Sequence, residues 1–160
     1  MKFLADPSLG RLARWLRILG YDAAYWRGEA DLSFLRYAES EARVALTRRK
    51  DVLARQHPGV VLFIEHDRAE DQIGEVLEKL DLAPNPETFF TICLECNVPL
   101  KPVERDEVQD RIPEHVCRTQ RDFRLCPGCG RVYWPGTHRA RALATLRRIL
   151  KAGQCDVRVR

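Results

Sequence analysis

Two Cys-x-x-Cys motifs constrain this chain more than any other feature of its sequence. They are Cys93-Leu94-Glu95-Cys96 and Cys126-Pro127-Gly128-Cys129, and 29 residues lie between them. A tight turn brings both thiols of such a motif to one side, so two motifs can supply the four thiolates of a tetrahedral Zn²⁺ site. A redox dithiol is the alternative, but it is expected as a single motif near a βαβ pattern. The sequence therefore predicts a closed, structural zinc site with four ligands: Cys93, Cys96, Cys126 and Cys129.

Composition places the chain among globular proteins and argues against a membrane protein. Its 160 residues are 45% hydrophobic and 31% charged, which is ordinary for a globular domain. No run approaches the roughly 18 apolar residues that a membrane span requires, and Asp6-Pro7 stands where a signal peptide would be apolar. We therefore expect a cytoplasmic protein, in which reduced thiols suit zinc ligation better than disulfides.

Basic residues are concentrated toward the end of the chain. From Cys117 onward there are 11 Lys and Arg residues against 2 Asp and Glu residues, although the net charge of the whole chain is only +4. A zinc–tetrathiolate centre would itself carry a charge of about −2, but an Arg-rich face still favours a polyanion such as nucleic acid. The alternative is a solvated surface, which charge alone does not exclude.

Short apolar segments alternate with amphipathic helices in the first half of the chain. The pattern predicts strands at residues 1–5, 22–26, 44–46 and 60–64, and helices at 7–20, from Asp31, at 52–56 and at 69–80. The continuous apolar character of residues 60–64 predicts a strand covered on both faces. The order β-α-β-α-β-α-β-α predicts an α/β fold with a mostly parallel sheet flanked by helices.

A proline-rich linker, Ala83-Pro84-Asn85-Pro86, separates this region from the cysteine motifs. We predict an α/β domain at residues 1–83 and a small zinc-ribbon module with a basic C-terminal helix at residues 87–152. Residues 101–124 are charged and weakly periodic, which indicates an insertion anchored by Val108, Ile112 and Val116. Cys117 and Cys155 have no partner motif and are most simply inert thiols, although Cys117 is a possible substitute ligand.

An acidic residue follows each predicted strand of the first half. Ligands of open parallel sheets bind beyond the carboxyl ends of the strands, so these acids are expected at one crevice. Carboxylates gathered there would repel one another unless a hard divalent cation such as Mg²⁺ or Mn²⁺ neutralised them. The alternative is that Asp6 and Asp31 cap helices and that Asp51 and Asp67 are surface or capping acids. The candidates are Asp6, Asp31, Asp51 and Asp67.

Arginines recur near the same predicted crevice. Arg11, Arg14 and Arg17 stand three residues apart on the helix that follows Asp6, and Arg48 follows the third strand. This placement predicts contacts with phosphates, whereas a solvated face is the simpler alternative.

Several motifs together resemble the Mut7-C RNase domain family. They are residues 6–17, Leu46-Thr47-Arg48, and residues 126–134 with Gly136-Thr137-His138, and the likeness extends to about Leu150. The resemblance implies a PIN-like nuclease fold followed by a zinc ribbon, acting on RNA through an acidic site that binds a divalent metal. It implies that Asp6 is the first acid of that site and Asp31 a second.

One departure from the family pattern leaves two main hypotheses open. Relatives usually read Leu-Thr-Arg-Asp after the third strand, whereas this chain has Arg49 in place of the aspartate. The first hypothesis is a metal-dependent ribonuclease with catalytic residues Asp6, Asp31, Asp51 and Asp67, which bind Mg²⁺ or Mn²⁺, and with Arg11, Arg14 and Arg48 on the RNA. The second is a non-catalytic RNA-binding or ribosome-associated adaptor, and a zinc-stabilised protein-interaction module is a third possibility.

Overall fold

The computed structural model describes the backbone of residues 1–156 and the side chains of residues 1–151. Its first half contains a four-stranded parallel sheet in the order β2-β1-β3-β4. The strands are β1 (Lys2–Ala5), β2 (Asp22–Tyr25), β3 (Val44–Thr47) and β4 (Val61–Phe63). Parallel pairing requires crossover connections, and helices supply them, as the alternating sequence pattern predicts.

Helices cover both faces of this sheet. They are α1 (Gly10–Ile18), which follows a 3₁₀ turn at Pro7–Leu9, α2 (Leu32–Ser40), α3 (Lys50–Leu53) and α4 (Ala69–Lys79). Because side chains alternate along a strand, Phe3 of β1 packs in the core on the α1 and α4 side, whereas its neighbour Leu4 packs with Phe34 of α2. The predicted α/β class with a parallel sheet flanked by helices is therefore confirmed.

Strand β4 differs from its predicted environment. It pairs only with β3, so it forms an edge of the sheet. Its three residues are partly exposed, and Val60 just before it is 58% exposed. The prediction of a strand covered on both faces was wrong, because an apolar run does not reveal whether a strand lies at the centre or at the edge of its sheet.

The second half contains a three-stranded antiparallel ribbon in the order β5-β6-β7. Its strands are β5 (Lys101–Val103), β6 (Phe123–Leu125) and β7 (Val132–Tyr133). Residues 101–124 therefore contribute two ribbon strands, and the insertion between them is shorter than predicted: α5 (Arg105–Val108), a 3₁₀ turn (Gln109–Arg111) and α6 (Glu114–Thr119). Its anchors are the predicted ones, since Val108, Ile112 and Val116 pack with Phe123.

The C-terminal helix α7 (Thr137–Asp156) packs against α4 of the first half. Leu146 of α7 is 1% exposed and belongs to the same core as Phe3, Leu12 and Ile73. The division into domains at residues 1–83 and 87–152 stays a prediction, and α7 ties the two predicted segments together. Neither α7 nor any other helix in the described part of the chain is long and apolar enough to cross a bilayer.

Candidate functional site

The four predicted cysteine ligands form one cluster. One motif precedes β5 and the other forms the turn between β6 and β7, and all four Sγ atoms lie within 4.8 Å of one another. The Sγ atoms of Cys93 and Cys129 are 3.8 Å apart. Tetrahedral zinc with Zn–S bonds of about 2.3 Å requires Sγ–Sγ distances of about 3.8 Å. The cluster can therefore hold a zinc ion.

The surroundings of the cluster stabilise negatively charged sulfur. The backbone amide of Cys96 donates to Sγ of Cys93, and that of Cys129 donates to Sγ of Cys126, each at a distance of 3.4 Å. The hydroxyl of Tyr133 lies 3.2 Å from Cys93 Sγ. Burial raises the pKa of Cys93, but the hydrogen bonds from Tyr133 and from backbone amides outweigh it and lower this pKa to about 6. A thiolate at Cys93 is the form that binds a metal.

Of the two remaining cysteines, the structure describes the side chain of Cys117. Cys117 packs against the hydrophobic group around Val108, so it is not a substitute ligand. The side chain of Cys155 lies outside the described residues.

The first cysteine motif is attached to the α/β core by Arg17 of α1. The Arg17 side chain donates from Nε to the carbonyl oxygen of Ala23 at 2.8 Å, and from Nη1 to Leu94 at 2.5 Å and Glu95 at 3.2 Å. Arg17 is only 6% exposed, and this burial lowers its pKa. The prediction that Arg17 belongs to a phosphate-binding stripe was wrong. Residues three apart on a helix are displaced by about 60°, so Arg17 lies about 120° around α1 from Arg11.

Asn97 forms a second attachment, which sequence reasoning missed. It adopts a positive φ of 58° just after the first motif. Its side-chain oxygen accepts from the amide of Ala23 at 2.8 Å, and its side-chain nitrogen donates to Asp22, which also pairs with Arg43. The asparagine directly after the first motif was the available sequence signal for a turn here, because Asn is among the residues that tolerate the left-handed conformation.

Asp6 lies at the carboxyl end of β1 and is 1% exposed. One of its carboxylate oxygens accepts from the amide and hydroxyl of Ser8, at 2.8 and 2.6 Å. The other accepts from the hydroxyl of Thr47 at 2.7 Å and from the amide of Arg48 at 3.0 Å. Asp6 is therefore a cap for the turn that leads into α1, and it also joins the ends of β1 and β3.

An open cleft of about 430 Å³, hereafter the Asp6 cleft, lies beside this carboxylate. It is formed by the segments that follow β1, β2 and β3, as expected for the ligand crevice of a parallel sheet. Two acids and two arginines are among its residues, so its charges balance. The lining residues are Asp6, Pro7, Ser8, Arg27, Gly28, Glu29, Ala30 and Arg49.

The other three predicted acids have separate partners. Asp31 caps α2 by accepting from Ser33 and from the amide of Phe34, and its hydrogen bonds with Ser33 lower its pKa. Asp51 binds Arg49 through two hydrogen bonds of 3.0 and 2.8 Å. Asp67 pairs with Arg48. Among the described residues, only the four cysteines form a group of three or more potential metal ligands, so the structure does not gather these acids into one site.

The Asp6 cleft in this arrangement does not fit Mg²⁺ or Mn²⁺. Both oxygens of Asp6 are already occupied by hydrogen-bond donors, and the guanidinium of Arg49 lies among the lining groups. A hard divalent cation requires several anionic or neutral oxygens facing one point. A positive charge among the lining groups opposes such a cation rather than merely omitting a ligand.

The predicted phosphate-binding arginines differ in their partners. Arg14 is exposed and pairs with Glu95 at 3.2 Å, and Arg48 pairs with Asp67. Arg11 is exposed, and no carboxylate among the described residues lies within 4.0 Å of its charged nitrogens. Arg48 is adjacent in sequence to Arg49 of the Asp6 cleft, whereas Arg11 and Arg14 lie on α1, which follows the cleft residues Asp6, Pro7 and Ser8.

The fold and the cysteine cluster define an α/β protein with a ribbon whose four cysteines can hold a metal ion such as zinc. A family model described as "Mut7-C RNAse domain" matches residues 1–146, and the chain belongs to this family. The match confirms the resemblance seen in the sequence and indicates a nuclease-like role with RNA as the substrate class. Searches of curated proteins and of solved structures give no match.

Proposed function

We propose that this protein binds single-stranded RNA at the Asp6 cleft and that its metal-dependent cleavage site has been altered. The observation that carries this proposal is the position of Arg49. Its side chain lines the cleft and is fixed by two hydrogen bonds to Asp51, which raise the pKa of Arg49. The cleft therefore offers a cation where relatives usually have a carboxylate, and a guanidinium favours phosphate over a metal ion.

Other groups around the cleft suit a phosphodiester chain. Arg27 lines it, and Arg48 follows β3 next to Arg49. The Arg49–Asp51 pair is about half exposed, and exposed pairs contribute little to stability. A phosphate can therefore replace Asp51 as the partner of Arg49 at small cost.

An exposed aromatic ring also lies next to the cleft. Tyr25 at the end of β2 is 40% exposed, and its hydroxyl donates to the carbonyl oxygen of the cleft residue Pro7 at 3.0 Å. An aromatic ring held in this way can stack on an RNA base without sequence preference. RNA recognition at this edge thus combines charge with stacking.

A second candidate is a metal-dependent ribonuclease in which Asp6, Asp31, Asp51 and Asp67 hold Mg²⁺ or Mn²⁺. Two observations favour it: membership of an RNase domain family, and a buried carboxylate at the carboxyl end of β1. In this candidate, Arg49 must leave the cleft and Asp51 must turn toward Asp6. A ribosome or protein partner stays a prediction.

Binding and cleavage of a fluorescent single-stranded RNA separate the two candidates. We expect the unmodified protein to bind with an affinity that falls as salt rises, and to leave the RNA intact in Mn²⁺ or Mg²⁺. Arg49→Ala should weaken binding, whereas Arg36→Ala, which removes an exposed arginine of α2, is the matched control and should not. Cleavage by the unmodified protein that disappears in a folded Asp6→Asn variant would establish the ribonuclease and overturn our proposal.

A further inference from the structure

A second cavity, of about 320 Å³, lies between α1 and the two cysteine motifs, and we name it the ribbon pocket. It is separate from the Asp6 cleft, since no residue lines both. Its charged residues are Arg14, Glu95, Arg111 and Arg131, and Tyr133 and Trp134 are its aromatic residues. The volume is at the lower end of the range for small-molecule pockets.

The ribbon pocket carries more positive than negative charge. Glu95 is shared between two arginines, Arg14 at 3.2 Å and Arg131 at 3.1 Å. Arg111 has no carboxylate within 4.0 Å among the described residues. The pocket is thus lined by three guanidinium groups and one carboxylate, a net charge of +2. This charge suits an anion such as a phosphate group.

Gly130, just after the second cysteine motif, lies next to Arg111. It has a positive φ of 71°, which favours glycine, and a Cβ atom at this position would lie 3.8 Å from Nη1 of Arg111, an ordinary contact distance. The guanidinium of Arg111 is therefore close to the backbone of the second cysteine turn.

Hydrophobic packing supports Trp134 in the wall of the ribbon pocket. Trp134 is partly buried against the group formed by Val108, Ile112 and Phe123, and it is also one of the residues that line the pocket. A ring that is fixed by packing presents a stacking surface at little cost in side-chain entropy. Arginines combined with a fixed indole ring are typical of sites that bind single-stranded nucleic acid.

We infer that the ribbon pocket binds one nucleotide of a single-stranded RNA, with the base on Trp134 and the phosphate on Arg111 and Arg131. The choice of RNA as ligand rests on the proposed function. The 3₁₀ turn at Pro7–Leu9 and helix α1 link the two sites, because Ser8 of the turn lines the Asp6 cleft and Arg14 of α1 lines the ribbon pocket. Six residues of helical backbone correspond to about 9 Å, and the exposed Arg11 lies between Ser8 and Arg14 in sequence, so we expect one short strand to contact both sites.

The first test measures RNA affinity with a charge-matched control. The double variant Arg111→Gln, Arg131→Gln should bind a 10-nucleotide RNA about tenfold more weakly, with a salt dependence whose slope is smaller by about 1.4. The control double variant Arg105→Gln, Arg118→Gln removes the same charge from exposed positions of the same insertion. The control variant should bind RNA with the affinity of the unmodified protein. An equal loss of affinity in the two double variants would mean that only the net charge of the protein matters, and it would overturn the inference.

The second test detects stacking. Binding of RNA should quench tryptophan emission, and Trp134→Phe should remove that quench while Trp15 and Trp26 remain. Zinc content, measured in the same samples, shows that the ribbon of each variant is folded. An unchanged quench in Trp134→Phe contradicts the stacked base.

The outcomes separate this inference from the proposed function. If Arg49→Ala weakens RNA binding but the Arg111, Arg131 double variant does not, the inference about the ribbon pocket fails and RNA binding at the Asp6 cleft is supported. If only the Arg111, Arg131 variant weakens it, RNA binds at the ribbon pocket and the proposed cleft fails. An acidic peptide that displaces RNA with equal affinity would make the pocket a protein-docking site and overturn the nucleotide assignment.

Discussion

Nη1 of Arg17 lies 2.5 Å from the carbonyl oxygen of Leu94, and this hydrogen bond connects α1 to the turn that carries Cys93 and Cys96. The same side chain also donates to the carbonyl oxygen of Ala23 in β2. A buried cation thus has backbone oxygens of both halves of the chain as its acceptors. Arg17 therefore links the cysteine cluster directly to the parallel sheet, in addition to the attachment through Asn97.

Replacing Arg17 should destabilise the whole protein. Arg17→Met keeps much of the apolar stem but leaves three carbonyl oxygens without this donor, and we expect a loss of about 2 to 4 kcal/mol in the free energy of unfolding. Urea unfolding followed by circular dichroism measures it. Arg14→Met is the control, since its exposed pair with Glu95 should contribute less than about 1 kcal/mol. Equal losses in the two variants would show that Arg17 is no more important than a surface residue.

The zinc site should hold one ion per chain and support more than the ribbon. Chelation should lower the melting temperature and increase hydrogen exchange in the ribbon and at Ala23, whose amide binds Asn97. Elemental analysis should give one zinc for the unmodified protein and for Cys117→Ser, and much less for Cys126→Ser. Full zinc content in Cys126→Ser would exclude the four-cysteine site.

Local sequence signals were sufficient for most of the fold. The strands, the helices on both faces and the zinc ligands follow from apolar periodicity, caps and the paired motifs, which act over a few residues. Helix capping was the alternative role predicted for Asp6 and Asp31, and each of them does cap the helix that follows it.

The missing parts depend on contacts between distant residues. Arg17 lies beside the buried stripe of α1, unlike the exposed Arg14, but its partner Leu94 is 77 residues away and cannot be predicted from the local pattern. Each of the four acids follows the strand predicted for it. The direction of each carboxylate, however, depends on the partner that it contacts in the folded protein. Asp67 binds Arg48, 19 residues away, and this pairing is not visible before the chain is folded, whereas Asp51 binds its near neighbour Arg49.

Asp6 should be important for stability as well as for any activity. Its carboxylate accepts four hydrogen bonds, so the amide of Asp6→Asn would place donors against at least one of the groups that now donate to it. We expect a loss of about 2 to 3 kcal/mol in the free energy of unfolding. Asp31→Asn is the comparison, because an exposed N-cap tolerates asparagine. Equal melting temperatures for Asp6→Asn and the unmodified protein would contradict the buried network.

Glu75 of α4 should control the stability of the protein in acid. This residue is 6% exposed, and its carboxylate accepts from the amides of Glu65 and His66, at 2.9 and 3.2 Å, and from Lys79 at 2.7 Å. Burial raises the pKa of Glu75, but the hydrogen bonds from Lys79 and the amides outweigh it and lower this pKa from 4.5 to about 2. The loop after β4 is thus held by a charged acceptor.

The direction of the pH dependence follows from this lowered pKa. A carboxyl group with a lower pKa in the folded state stabilises the protein fully above its unfolded pKa, and this contribution is lost as the pH falls from about 4.5 to about 2. The loss amounts to at most about 3 kcal/mol. The pKa of His66 is raised by its hydrogen bond to Glu75, so its contribution is present below about pH 6.5 and is lost as the pH rises through the raised value.

Melting temperatures between pH 2 and 8 check this prediction. Glu75→Gln should be less stable than the unmodified protein near pH 5 to 6, and the difference should shrink toward pH 2 and again above the raised pKa of His66. Glu78→Gln removes an exposed acid from the same helix and should follow the curve of the unmodified protein. A constant difference between Glu75→Gln and the unmodified protein at every pH would mean that the carboxylate acts through its shape and not through its charge.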